Sequence, residues 1–273
     1  MDHYNALPLR HFAGNIAYCM DIELPRRFER PVKWAMDILT HHLSFMAERA
    51  VLYHADAVPM YLWQKEPALF APVYAYTQMA LPMRSTVESV TPVAHASMYT
   101  GVEPEVHGIL SYTRPKLECE TLYDVLLAQD KKIAIVAGTD SSFLHLFAGR
   151  ELDYFEEPNA IAIKETALRL IAENKYDLVS VHTFDYDSAA HAFGPESKQA
   201  LNAVSIEAEC FDEIVKTVKL RCADRNTLLC YAPDHGQHLV EGGRGSHGSK
   251  MIEDMNILHF YGMVRANTDC REA

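Results

Sequence analysis

The sequence has no uncharged apolar run of about 18 residues, the length a membrane-spanning helix needs. No membrane association is expected. Its six cysteines, Cys19, Cys119, Cys210, Cys222, Cys230 and Cys270, form no CxxC pair and no dense framework. A disulfide scaffold is thereby excluded, and reduced thiols in a cytoplasmic protein are the expectation. Positive charge is scarce: 25 Lys and Arg stand against 37 Asp and Glu, a formal net charge of −12. With no basic face to neutralise phosphates, binding to a nucleic-acid polymer is not expected. An anionic substrate would need a local source of positive charge, and metal ions are the simplest one. The first residues lack a charged start followed by an apolar block, so no signal peptide is expected. No repeat, low-complexity tract or clear linker interrupts the chain, and one domain over residues 1–273 is the simplest organisation. Nothing here fixes the oligomeric state.

What is present is the make-up of a globular α/β protein. Hydrophobic residues make up 49% and charged residues 23%, enough for a substantial core at this length. Residues 1–31 show little periodicity. From Val32 the residues Trp34, Ile38, Leu39, His42, Leu43, Phe45 and Met46 recur at helical spacing, which predicts one amphipathic helix ending near Arg49. Val51-Leu52-Tyr53 then reads as a buried strand leading to Asp56. Further strands are expected at 132–138, 176–184, 227–232 and 255–261, and helices at 121–129, 160–174 and 197–222. Alternating strands and helices imply a mostly parallel sheet with helices on both faces.

The segment Val90–Ile109, VTPVAHASMYTGVEPEVHGI, organises the rest. Thr91 followed by Pro92 predicts a helix N-terminus with Thr91 as the cap, a helix to about Tyr99 and Gly101 as its stop. A hydroxyl at a helix N-terminus sits where the helix end favours an anion, which suits a cap and equally a nucleophile toward phosphorus.

Three strands end in candidate metal ligands. The first ends at Asp56. The strand through Val181 runs into Asp185-Tyr186-Asp187-Ser188-Ala189-Ala190-His191, and the strand through Cys230 runs into Asp234-His235-Gly236, with His247 further on. Asp187 and His191 are spaced to share one face of a helical turn and grip one cation. Imidazole with carboxylate suits zinc, with manganese or iron as alternatives. A DxxxH pair is common by chance, and a lone histidine is more often core or surface. Together, at strand ends, where α/β sheets bind ligands, the residues make a joint signal. Asp185 shares a face with Asp187 and is an alternative ligand. His54, His95 and His107 read as structural, while His238 and Lys250 flank the site.

In this order, Asp56, TPVAHASMYTG with PEVHGI, DSAAHAFGP, DHG and SHGS, the chain resembles the alkaline phosphatase superfamily, in particular its type I phosphodiesterase/nucleotide pyrophosphatase family. The resemblance runs from about Val51 to Gly262. It implies an alkaline-phosphatase-like α/β fold and two divalent metal ions. Asp187, His191 and His247 would hold one; Asp56, Asp234 and His235 would hold the other, with Thr91 as the nucleophile touching that second metal. It implies hydrolysis of a small anionic phosphate ester, first a phosphodiester or nucleotide pyrophosphate. The alternatives are a phosphonate or phosphomonoester on the same site, or a metal-binding protein without catalysis. Three departures stand out. Tyr112 occupies the place where the family has an asparagine holding a phosphoryl oxygen. Only Gly236–Ser246 separate DHG from the last histidine, too few for a cap. Residues 1–50 match nothing in the family and are expected to pack on the catalytic domain.

Overall fold

The computed structural model describes residues 3–221 and 224–267. Cys222 and Cys270 lie outside the described residues; the other four cysteines are free thiols. The strands are β1 (Leu7–Pro8), β2 (Arg49–Ala55), β3 (Met79–Arg84), β4 (Ile133–Gly138), β5 (Asp153–Glu157), β6 (Leu178–Thr183), β7 (Thr227–Tyr231), β8 (His238–Leu239), β9 (Gly245–Ser246) and β10 (Asn256–Val264). Eight of them form one mixed sheet in the order β1-β3-β10-β7-β2-β6-β4-β5, and β8 and β9 form a two-stranded ribbon. Neighbours in the large sheet pair in parallel, except that β10 runs antiparallel to both β3 and β7.

Every residue of β2 is buried. Its side chains alternate between faces: Ala50 and Leu52 join one apolar cluster, and Val51, Tyr53 and Ala55 join the other. Burial on both faces is why this strand reads as an unbroken apolar run. The helices His11–Cys19, Lys33–Leu43 and Thr91–Thr100 cover the first face, while Ala160–Ala172 and Lys198–Arg221 cover the second. Three adjacent central strands, β7, β2 and β6, thus point their carboxyl ends the same way.

The N-terminal third departs from the sequence expectations. The helix expected to reach Arg49 stops at Leu43, where Ser44 turns left-handed (φ 59°), and β2 already begins at Arg49. Its buried face is Ala35, Met36, Leu39 and Thr40, while Trp34 and Ile38 are 60% and 57% exposed. The strand start was obscured because Arg49 is buried and polar, donating to Asn174 Oδ1 at 2.8 Å and Thr227 Oγ1 at 2.9 Å. The helix His11–Cys19 lacks a periodic signal because almost all of it is buried, so it has no polar face to alternate with. Residues 7–8 add an edge strand to the large sheet, and Phe12 packs on His54 and Tyr99. Strand β3, absent from the sequence reading, carries Pro82.

Candidate metal centre and nucleophile

The helix carrying Thr91 spans Thr91–Thr100 and ends at Gly101, whose φ of 66° is left-handed and suits a residue without Cβ. Thr91 is not its cap. Val90, extended at φ −135°, holds that place and accepts from Val93 N and Ala94 N at 3.1 and 3.0 Å. Thr91 is instead the first helical residue, and its side chain makes no capping bond. The difference arises because Pro92 is tolerated at either of the first two positions. Thr91 Oγ1 lies 3.4 and 3.3 Å from the two carboxylate oxygens of Asp56 and 3.4 Å from His235 Nε2.

Around it the candidate ligands fall into two groups: Asp56, Asp234 and His235, all buried, and Asp187, His191 and His247, more exposed. In each group the ligand atoms lie within 4.8 Å of one another. Asp56 directly follows β2, and Asp234 and His235 lie just beyond β7. Asp187 and His191 stand one turn apart on the helix Asp185–Phe193, which follows β6, and His247 follows β9. The His191 and His247 rings are 4.8 Å apart, and those of His247 and His235 4.3 Å, so the two groups adjoin.

The candidate donors share one orientation. Each ligand histidine directs Nδ1 at a main-chain carbonyl: His235 at Gly236 O (3.0 Å), His191 at Gly245 O (3.0 Å) and His247 at Ser89 O (3.2 Å). That bond fixes the tautomer and leaves Nε2 facing the carboxylates. Asp234 Oδ1 accepts from Ala57 N and His235 N, whereas its Oδ2 is buried without a partner. Burial, then the neighbouring Asp234 and Asp187 charges, push Asp56 well above the usual carboxylate range, and burial raises Asp234. For Asp187, burial acts upward, but the His191 hydrogen bond and the nearby imidazoles leave it lowered. His191 is raised by Asp187, and His247 is pushed down to about 3 by burial. Two buried carboxylates facing each other beside an unpartnered oxygen are the environment a divalent cation relieves.

A cavity of about 550 Å³ opens above this cluster. Thr91, Asp56, Asp187, His191 and His247 line it together with Tyr112, Arg114, Ser141 and Phe184. Tyr112 borders the cavity while 60% exposed. Asp185 is not part of either ligand group; it is half-buried beside Glu207, which accepts from Asp185 N and Tyr186 N. His54 contacts Ala232 O and Tyr99 Oη, and His107 contacts Ser97 Oγ and Ile109 N. His238 is turned to Asp254 at 2.7 Å and, like Lys250, does not line the cavity. Two neighbours of the candidate ligands escaped the sequence reading. Gln237 Nε2 donates to Asp187 Oδ1 at 2.8 Å, and His182 lines the cavity with Nε2 3.6 Å from Asp56 Oδ2. Gln237 lies beside the DHG motif and His182 two residues before the end of an expected strand, but neither belongs to a recognisable ligand spacing.

Sheet and site together place the molecule among alkaline-phosphatase-like folds. Phosphonoacetate hydrolase from Sinorhizobium meliloti, in complex with phosphonoformate, superimposes with a TM-score of 0.54 at 15% identity, covering 70% of this chain and 57% of that one. Murine ectonucleotide pyrophosphatase/phosphodiesterase 5 gives 0.59 at 14% identity, covering 71% and 58%. The C-terminal periplasmic domain of the phosphoethanolamine transferase EptC from Campylobacter jejuni gives 0.58 at 14% identity, covering 82% and 80%. In sequence, residues 75–124 match the family model of type I phosphodiesterase/nucleotide pyrophosphatase, a span that holds both Thr91 and Tyr112. No curated protein sequence matches the chain. The superposed part spans just under three fifths of the length of the first two structures, 57% and 58%.

Proposed function

We propose that this protein is a metal-dependent hydrolase of small phosphate esters, acting on phosphodiester or nucleotide pyrophosphate bonds through Thr91. The observation that carries the reading is the uncapped Thr91 hydroxyl, within 3.4 Å of Asp56 and His235 at the floor of an open cavity. Two divalent cations held by the two ligand groups, zinc by donor chemistry with manganese or iron as alternatives, would neutralise phosphoryl oxygens and acidify the hydroxyl. Thr91 Oγ1 attacks phosphorus as the bond to the leaving oxygen breaks, and its proton passes to solvent or to the leaving group. Water then cleaves the phosphothreonine and regenerates the hydroxyl. His235 and Asp56, fixed by the carboxyl ends of β7 and β2, hold the attacking oxygen in place. Tyr112, which borders the cavity, would donate to a phosphoryl oxygen or stack on the leaving group.

The test is hydrolysis of aryl phosphodiester, dinucleotide, phosphomonoester and phosphonate substrates by zinc-, manganese- and iron-loaded protein. Diester or pyrophosphate turnover at the highest kcat/KM is expected. Preference for a monoester or a phosphonate would replace the substrate class while keeping the site. No turnover of any of them, with both cations bound, would make this a metal-binding protein without catalysis.

A further inference from the structure

Beside the inner ligand group lie two histidines that the chemistry above does not use. His95 is on the Thr91 helix, one turn after Thr91, and His182 is on β6. They are 0% and 1% exposed, and neither nitrogen of either ring has a hydrogen-bond partner. Buried polar atoms without partners are uncommon and call for an explanation. Their geometry supplies one. His95 Nε2 is 3.5 Å from Asp234 Oδ2, the unpartnered oxygen, and His182 Nε2 is 3.6 Å from Asp56 Oδ2. Each inner carboxylate is thus faced by one buried imidazole edge. The rings are held for this: His182 stacks flat on Phe143 (4.9 Å, 9°), and the same phenyl meets the His95 ring edge-on at 4.6 Å. In the outer group, Gln237 Nε2 does the equivalent for Asp187.

Resting on the two-cation reading, we propose that His95 and His182 are positioning residues of the inner cation site, donating Nε2–H to Asp234 and Asp56 respectively. The distances lie about 0.5 Å beyond a made hydrogen bond, a gap that a small rotation of the carboxylates closes. Donation to that carboxylate oxygen fixes the carboxylate's rotation and limits its negative charge, as outer-shell partners of metal ligands do. The inner site is the one that touches Thr91. The two histidines therefore set cation affinity at the nucleophile and not at the outer group.

The experiment is zinc and cobalt(II) titration of the purified full chain against a competing chelator, with the cobalt absorption spectrum as a second readout. The variants are His95→Leu, His182→Leu, His95→Gln and His182→Gln; glutamine keeps an N–H donor near the Nε2 position. Each leucine variant is expected to weaken one of the two cations by about 10- to 100-fold and leave the other within about two-fold. Each glutamine variant should recover most of that loss. Unchanged affinity in the leucine variants, equal loss of both cations, or glutamine no better than leucine would overturn the proposal. Fewer than two cations in the unaltered protein would sink the two-cation reading itself, and the positioning role with it.

Discussion

Thr91 has a hydroxyl that no capping bond occupies, because Val90 takes the cap position and the following residue is proline. The same arrangement depletes the helix end of amide donors. Pro92 has none, and Val93 N and Ala94 N both go to Val90 O. Among the described residues, only the Thr91 N–H of the first turn has no backbone acceptor, so the helix end supplies one amide toward a phosphoryl oxygen, not several. This gives weight to Tyr112. If its hydroxyl donates to charge that develops in the transition state, Tyr112→Phe lowers kcat by about ten-fold or more with little change in KM. If its ring only stacks, Tyr112→Phe is nearly silent and Tyr112→Ala raises KM; steady-state kinetics on an aryl diester separates the two. Thr91→Ala is expected to remove turnover by about 10³-fold or more while both cations remain bound, because each keeps three other donors, and Thr91→Ser should retain part of the activity. Metal analysis beside the rate assay checks this, and full activity in Thr91→Ala would mean that water attacks directly. At this scale the six candidate ligands named from the sequence, Asp56, Asp234, His235, Asp187, His191 and His247, converge in space as two groups. The sequence carried the supporting residues poorly. Nothing in the local pattern of Gln237 or His182 reveals that a carboxylate distant in sequence lies opposite them.

Elements hold these residues by close packing. Gly236 follows the Asp234-His235 pair, and its carbonyl receives His235 Nδ1 while its N–H reaches Asp254 O at 2.8 Å. A Cβ there would lie 1.9 Å from Glu253 O and 2.8 Å from Pro59 Cβ. Both are on rigid parts of the chain, so Gly236→Ala must displace the turn that aims His235. The expected result is weakened binding of the inner cation, with about 1–3 kcal/mol lost from folding stability, read by titration and thermal melting. The helix Asp185–Phe193 is tied to the long helix Lys198–Arg221 through Glu207. Burial, then the nearby Asp185 charge, raises the Glu207 carboxyl to about 8. Its folded value lies above its unfolded one, so the folded chain holds the extra proton. Stability from this group is therefore full below about pH 4.5 and falls as pH rises toward 8. Glu207→Gln removes that proton linkage and should flatten the decline, raising the pH 8 melting midpoint by at least ~2–4 °C. An unchanged midpoint at pH 8 would mean that the carboxyl is already ionised at no cost. Elements with an internal signal were legible: the buried strands β2, β4, β6 and β7 and the amphipathic helices of the second half. Those that depend on distant partners were not. The helix His11–Cys19 is buried almost throughout, and β3 holds Pro82 yet pairs along β10.

Across the whole molecule, the parallel core of the sheet collects acids from several strand ends into one place. The chain is already at −12, so binding a cation should release strain as well as supply chemistry. The sign of the pH effect follows from the inner carboxylates. Without a cation Asp56 is raised by burial and the Asp234 charge, and Asp234 by burial, so the folded chain takes up protons that the unfolded chain has released. Cation-free stability therefore declines as pH rises above the unfolded carboxylate range, near 4. A bound cation needs both groups ionised and competes with those protons, so affinity climbs over the same interval. The two trends diverge. The melting midpoint of zinc-loaded protein minus that of chelator-treated protein should be small at pH 5 and grow steadily to pH 8. With cation at ~100 times its dissociation constant, one site contributes about 2.7 kcal/mol, or roughly 5–10 °C for a chain of this size. Matched scans at fixed free zinc and ionic strength read the difference directly. A difference that stays flat or shrinks between pH 5 and 8 would mean that Asp56 and Asp234 are not displaced from protons by the cation, and that the inner group is not where it binds.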